Sequence, residues 1–296
     1  MKAGSPWVPA LYALICLIWG STWLAIKIGL VGVPPFLAAG LRFSLASAAL
    51  FVLAGLRRAP LRLDRNGRIA VLYCGLLGFT LSYACVYWAE QYISSGMAAI
   101  LYCTMPLAVA LLSRFWTRTE TLSARKIGGI LAAMAGTAIL FWPSGGTSSA
   151  QLAGMVVALV SVAASAVNLV GVKKYGRDTD VVVMNACGMA VGAFGLLVLS
   201  VLFEPHAAAV WSRANVLALV YLALAGSVTA FMAYFSLVKV MDATRLSLIS
   251  LIFPLVAVVL GRAVLHEAFP PRAGGGMALV LAGVAVAIVP RRGASV

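Results

Sequence analysis

The stretch MPLAVALLSRFWTRTETLSARKIGGILAAMAGTAILFWP, residues 105–143, is answered by FPLVAVVLGRAVLHEAFPPRAGGGMALVLAGVAVAIVP at residues 253–290. Pro106 matches Pro254 at a separation of 148 residues. After a single-residue gap, Glu120 matches Glu267, Gly129 matches Gly276, Gly136 matches Gly283 and Pro143 matches Pro290, all at 147. Upstream, SYACVYWAEQY at 82–92 aligns at 148 with FMAYFSLVKV and its neighbours. Leu-, Ala- and Gly-rich segments resemble one another by chance, but five matched Pro, Glu and Gly positions sharing one gap point to an internal repeat.

The composition around this repeat is that of a membrane protein. Hydrophobic residues make up 63% of the 296-residue chain and charged residues 10%. Soluble domains carry about 45–50% apolar and about 25% charged residues, and a fold of this size cannot bury such an excess in its core. Spanning a bilayer takes about 20 mostly apolar residues per helix. Ten apolar runs, near 9–30, 34–56, 68–90, 95–116, 123–142, 151–173, 180–203, 214–239, 243–264 and 273–290, are expected to be spans. The first is read as a retained helix rather than a cleaved signal peptide, because no small-residue cleavage site follows it.

The net charge of +14 lies in short loops between apolar runs, which is a pattern of orientation and not a nucleic-acid stripe. Lys2, Arg57, Arg58, Arg62, Arg65, Arg68, Arg114, Arg118, Arg125, Lys126, Lys173, Lys174, Arg177, Lys239, Arg245, Arg291 and Arg292 fall at one set of span ends, seventeen in all. Arg213, Arg262 and Arg272 fall at the other, and Lys27 and Arg42 lie within spans. The bias puts both termini in the cytoplasm of a multi-pass protein of the cell inner membrane. With five spans per repeat, residues 1–143 and 151–290, the second copy enters from the opposite face. Such inverted repeats commonly build a transporter with its site near the midplane.

WGSTWLAIK in helix 1, Pro34-Pro35 and Arg42 in PPFLAAGLRF, and the doubled Pro, Glu, Gly, Gly pattern of helices 4–5 and 9–10 resemble the drug/metabolite transporter superfamily. Within it the chain is most similar to the ten-helix EamA-type exporters, over essentially its whole length. The resemblance implies a substrate cavity between two halves and export of amino acids or related metabolites, in the manner of bacterial broad-specificity amino-acid exporters.

Candidate site residues follow from polarity and position. Arg42 is about seven residues into its helix, or ~10 Å at 1.5 Å per residue, so it stands away from the interface. Its forked guanidinium suits either helix-end carbonyls or a substrate carboxylate. Lys27 either extends its ammonium to the outer interface or sits at the cavity mouth. Tyr83 and Tyr87 are one helical turn apart and match Phe231 and Phe235, while Tyr102 matches Ser250. Such aromatic faces line a cavity or pack helices. Trp19, Ser21, Thr22, Trp23 and Asn168 share these two readings, and a mid-membrane amide such as Asn168 needs a hydrogen-bond partner. Pro106 and Pro254 are expected to interrupt their helices as a matched pair of hinges.

The remaining features restrict the chemistry. All eight acids, Asp64, Glu90, Glu120, Asp178, Asp180, Glu204, Asp242 and Glu267, lie in loops or at span ends. Proton-driven pumps carry acids within the membrane, so facilitated movement is expected, with Glu90 the nearest exception. Glu120 and Glu267 are read as hairpin caps. Glycines of helices 5 and 10 imply close packing, on each other or between protomers, in a monomer or weak homo-oligomer. Cys16, Cys74, Cys85, Cys103 and Cys187 lie in spans without a CxxC pair, so no metal and no cofactor is expected. There is no HExxH, no intramembrane aspartate pair, and His206 and His266 sit in loops. An intramembrane enzyme is therefore hard to assemble. The expected partners are a small-molecule substrate and the lipid bilayer. Small neutral or zwitterionic solutes fit best, with cationic drugs, nucleoside-like or phosphorylated solutes as the alternative cargo.

Overall fold

The computed structural model describes residues 6–93, 95–119, 122–141, 148–204, 209–256 and 273–288, all as helices and their connections with no strand among them. The expected caps Glu120 and Glu267, and the repeat markers Pro143 and Pro290, lie outside the described residues. Among the described residues, six helices are long and apolar enough to cross a bilayer: α1 (Trp7–Gly29), α2 (Pro35–Leu56), α3 (Arg65–Ala89), α7 (Ser149–Tyr175), α8 (Val181–Phe203) and α9 (Arg213–Val238). Between and after them come α4 (Ser95–Tyr102), α5 (Met105–Phe115), α6 (Ala124–Phe141), α10 (Ala243–Val256) and α11 (Ala273–Ile288).

Local chemistry sets the helix starts. Asp64 accepts from Gly67 N–H at 2.8 Å ahead of α3, and Asp180 accepts from Val182 and Val183 N–H at 2.9 and 3.1 Å ahead of α8. Ser148 with Gln151, and Ser212 with Asn215, form reciprocal capping boxes on α7 and α9. Pro35 opens α2, where its missing N–H leaves no bond unmade. The Glu204 carboxylate crosses from the end of α8 to the N-terminus of α2, accepting from Phe36 and Leu37 N–H at 2.5 and 3.0 Å.

Helices from the two halves of the chain pack in reciprocal pairs. α2 lies along α8, α6 along α11 and α5 against α10, while α1 packs on α9 and α7 on α3. The α6–α11 seam is made by glycine. A Cβ on Gly129 would stand 2.6 Å from the Gly283 carbonyl oxygen, and one on Gly136 would stand 2.8 Å from that of Gly276. The two helices therefore meet backbone to backbone, and of the two packings open from sequence these glycines serve the one within the chain.

Two features differ from the sequence expectation. First, α3 and α9 each contain a widened π-type stretch, Tyr73–Leu81 and Leu224–Thr229. At the 148-residue offset of the repeat, Leu224 to Thr229 correspond to Leu76 to Leu81. Hydroxyls collect the displaced carbonyls five residues back: Thr80 to Gly75 at 2.9 Å, Ser227 to Leu222 at 2.9 Å and Thr229 to Leu224 at 3.0 Å. Second, the expected proline breaks are not equivalent. The chain breaks at Cys103–Thr104, and Pro106 then sits in the first turn of α5, where proline is tolerated. Pro254 instead lies in continuous helix, and α10 is interrupted earlier, at Leu248. The carbonyl of Ser250, four residues before Pro254, accepts the Cys103 thiol at 3.6 Å.

Candidate functional site

α1, α3, α4, α5, α7, α9 and α10, with Arg42 from α2, enclose a central cavity of about 120 Å³. Of the residues singled out in the sequence, Trp19, Thr22, Trp23, Arg42, Tyr83, Tyr102, Asn168, Phe231 and Ser250 line it. Three do not. Ser21 is turned aside to Tyr221, hydroxyl to hydroxyl at 2.5 Å. Tyr87 is buried behind Arg42, and Phe235 stacks on Phe231 at 5.9 Å and faces a second cavity beside Lys173, Lys174 and Lys239. Lys27 is exposed in the last turn of α1, where a cation complements the helix dipole, and it does not line the central cavity.

Arg42 is the charged residue of the cavity wall, and it is 1% exposed. Its Nε donates to Ser227 Oγ at 2.8 Å, Nη1 to Tyr87 OH at 3.3 Å and Nη2 to the Gly226 carbonyl at 3.3 Å. The rings of Tyr83 and Phe43 lie 5.1 and 5.2 Å from its Cζ. These partners hold the side chain without neutralising it, since no carboxylate comes within ion-pair distance of it among the described residues. A guanidinium has five N–H donors, and these three bonds with a further contact to the Tyr83 hydroxyl leave at least one unassigned.

The widened turns bring main chain to the wall. Gly226 lies in the α9 stretch, and its carbonyl accepts from both Arg42 and Trp19 Nε1, each at 3.3 Å. Its repeat counterpart Gly78 lies in the α3 stretch, where a Cβ would stand 2.6 Å from Asn168 Nδ2. Asn168 is 8% exposed, and its Oδ1 has no hydrogen-bond partner among the described residues. The partner expected for this amide is thus missing from the described chain on the acceptor side.

The other walls are aromatic and hydroxylic. Trp19 meets Phe231 at 5.2 Å and Tyr234 at 5.0 Å, and Trp23 meets Tyr102 at 5.7 Å and Phe253 at 5.8 Å. Ser82 bonds Ser161 at 2.9 Å and Ser165 at 2.7 Å, while Tyr102 OH closes on Ser161 at 2.5 Å. Sequence reasoning passed over Tyr234, Phe253, Ser82 and Ser165. The repeat alignment pointed to Tyr234's neighbour Phe235, and isolated serines in apolar helices give no signal by themselves. The cavity as built offers a cation with a donor unassigned, an acceptor amide and ring faces. That set complements a small solute with an acid group, a donor and an apolar body.

A sequence model of the EamA-like transporter family matches residues 7–142 and, a second time, residues 152–289. Protein PagO of Salmonella typhimurium is 29% identical over 253 residues, covering 86% of this chain and 83% of that protein. The uncharacterized inner membrane transporter YedA of Escherichia coli (strain K12) is 33% identical over 263 residues, covering 86% and 82%. The uncharacterized transporter YoaV of Bacillus subtilis is 27% identical over 254 residues, covering 86% and 87%. A solved crystal structure shares the fold, with a TM-score of 0.79 over 95% of this chain and 96% of its own at 24% identity.

Proposed function

The chain belongs to the EamA-like transporter family of the drug/metabolite transporter superfamily and is a multi-pass membrane protein, and from that premise we propose that it exports amino acids or related small metabolites by alternating access. The observation that carries the substrate reading is Arg42, a buried, unneutralised guanidinium on a cavity wall whose other surfaces are aromatic. A substrate carboxylate supplies the missing countercharge. Its ammonium finds Asn168 Oδ1 and the ring faces, which attract cations, and its side chain the apolar walls. A strongly cationic drug meets like charge here, and a phosphorylated solute finds one cation where several are wanted.

We read the chain as ten spans in two inverted five-helix halves, residues 1–143 and 151–290, in the cell inner membrane with both termini cytoplasmic. Support comes from the seventeen-to-three distribution of loop cations and from the reciprocal packing of α2 with α8, α6 with α11, and α5 with α10. The α4 and α5 pair counts as one broken span. The interruptions at Cys103–Thr104 and Leu248 serve as hinges on this reading, Pro106 following the first closely and Pro254 standing six residues beyond the second. The working unit is a monomer or weak homo-oligomer in the lipid bilayer.

The test is uptake of a panel of labelled amino acids into proteoliposomes, beside labelled cationic drugs, nucleosides and sugar phosphates. Saturable uptake of amino acids, abolished in Arg42→Gln, is the expected result. Uptake confined to another class of cargo overturns the substrate assignment.

A further inference from the structure

A second cavity, of about 470 Å³, opens where α5, α7 and α9 end, at the span ends that carry the seventeen loop cations. Its wall comes from the end of α5 in the first half of the chain and from α7, α8 and α9 in the second. Lys173, Lys174, Arg177 and Lys239 line it, and no acid is among the described residues that do. Of the acids nearest in sequence, Asp178 is exposed and Asp180 is taken up in capping α8. Lys174, Arg177 and Lys239 have no carboxylate within ion-pair distance among the described residues. A concave wall carrying one sign of charge focuses its field on a small volume and draws in anions.

These cations are seated rather than loose. Lys174 Nζ lies 5.4 Å from the centroid of the Trp116 ring and 5.1 Å from that of Tyr175, and Tyr73 ties the two rings together, at 5.8 and 5.9 Å. Lys239 Nζ donates to the Thr179 carbonyl at 2.5 Å, and Lys173 Nζ donates to the carbonyls of Val238 and Met241. Rings and carbonyls position Lys174 and Lys239 without cancelling their charge, and an ammonium with three donors keeps two beyond the Thr179 bond. Cations that only orient a span need no such seats, because solvated loops serve equally well. The inner end of the cavity is apolar, made by Met184, Val238 and the fully buried Phe235. Phe235 stacks on Phe231 at 5.9 Å and meets Tyr234 edge to face at 5.4 Å, and both of those rings line the central cavity. One layer of rings therefore stands here between the basic cavity and the cavity that holds Arg42.

We propose that this cavity is a second binding site for a carboxylate-bearing solute, with Lys174, Arg177 and Lys239 taking the anionic oxygens and Phe235, Met184 and Val238 facing the apolar body. The proposal rests on the reading of the chain as an exporter whose loop cations face the cytoplasm. A solute leaving the cell then meets this cavity first, and the Phe235–Phe231 layer is the barrier between its two stations. Arg177 supplies the forked donor that suits a carboxylate, and the two ammonium groups supply point charges. The phosphate of an anionic lipid shares this chemistry, since basic pockets at a cytoplasmic surface hold such headgroups. The ring layer favours the solute, because it leads from this cavity to Arg42.

The experiment is lysine footprinting of the full chain in nanodiscs, by brief acetylation and mass spectrometry of each lysine, with benzoate as the probe against chloride at equal ionic strength. In phosphatidylcholine discs, benzoate is expected to slow acetylation of Lys174 and Lys239 saturably, by at least about fivefold, since protection grows with occupancy. Lys27, exposed at the other end of the spans, keeps its rate. Arg177→Gln, at an exposed position that folding tolerates, raises the benzoate concentration for half-protection about tenfold or more, the loss of one charged hydrogen bond. Discs containing phosphatidylglycerol, without benzoate, leave the two lysines as reactive as neutral discs do. No slowing of Lys174 and Lys239, equal slowing of Lys27, or protection unchanged by Arg177→Gln overturns the proposal. Protection by phosphatidylglycerol and not by benzoate gives the cavity to a lipid and overturns it as well. Absence of amino-acid uptake in proteoliposomes is a separate failure, that of the substrate reading, because the footprint contains no amino acid.

Discussion

Arg42 Nε donates to Ser227 Oγ at 2.8 Å across 185 residues of chain, and Ser227 in turn donates to the Leu222 carbonyl that the widened turn of α9 has displaced. The cation of the cavity is thus seated on the irregular turn of the opposite half. Three different groups, a hydroxyl, a phenol and a carbonyl, hold one guanidinium in place.

Arg42→Lys is therefore expected to fail almost as fully as Arg42→Gln. An ammonium is a point charge and cannot hold these three partners while presenting a further donor to a carboxylate. Losing a hydrogen bond to a charged group costs about 1.5–3 kcal/mol, so kcat/KM for an acid-bearing solute falls by about 10- to 100-fold. Initial rates of proteoliposome uptake read the difference.

Gly78→Ala places a Cβ 2.6 Å from Asn168 Nδ2. The amide must turn away, and we expect transport to fall about as far as in Asn168→Ala. The double variant should then be no worse than either single one, since residues acting as a unit are not additive. Additive losses in the cycle show that the glycine and the amide act separately.

The glycines of the α6–α11 seam should divide by position. Gly129→Leu or Gly283→Leu meets opposing main chain and lowers stability by at least the ~1–3 kcal/mol of overpacking. Gly128→Ala and Gly275→Ala, whose Cβ meets nothing within 4 Å, stay within about 0.5 kcal/mol of the parent. Thermal unfolding in detergent, followed by thiol-dye labelling of the buried cysteines, reports the order.

The two prolines should respond differently although they align. Pro106→Ala lets α4 run into α5 across Cys103–Thr104, and we expect turnover to slow with little change in stability. Pro254→Ala restores a donor to the Ser250 carbonyl, now held by the Cys103 thiol at 3.6 Å, and raises stability while keeping transport. Paired uptake and unfolding measurements on both variants decide it; equal loss of transport in both means that the prolines hinge as a matched pair.

Much of the architecture was legible because hydropathy and loop charge act over whole segments. Six of the ten apolar runs emerged as helices of bilayer length among the described residues, and irregular turns stand in α3 and α9 at positions 148 residues apart. Arg42 was legible for the same reason, as a cation in the middle of an apolar run. The face each aromatic presents was less legible. Tyr87 and Phe235 were chosen because i, i+4 neighbours share a helix face, and both do lie in ordinary helix beyond the widened turns. What spacing does not give is how far round the helix the cavity reaches: Phe231 and Tyr234 share it, while Tyr87 supports Arg42 and Phe235 looks away. Nothing in GLLGFTLS or ALAGSVTA announces such a turn beyond glycine and a hydroxyl, both common in spans. Glu90 was read as interfacial because it ends a run, and only its unbonded burial distinguishes it.

The widened turns of α3 and α9 also make the length of each helix a determinant of recognition. Each residue of an ordinary helix advances the chain by about 100°, and a widened turn takes up one residue more than an ordinary one, so removing a residue from the ordinary helix just after either stretch rotates every later side chain on that helix. In α9 such a deletion would carry Phe231 and Tyr234 off the wall while leaving the composition and hydropathy of the span intact. Relatives that differ by a single inserted or deleted residue here would thus present different surfaces to a solute from nearly identical sequences. In this fold cargo choice is open to change by frame as well as by substitution.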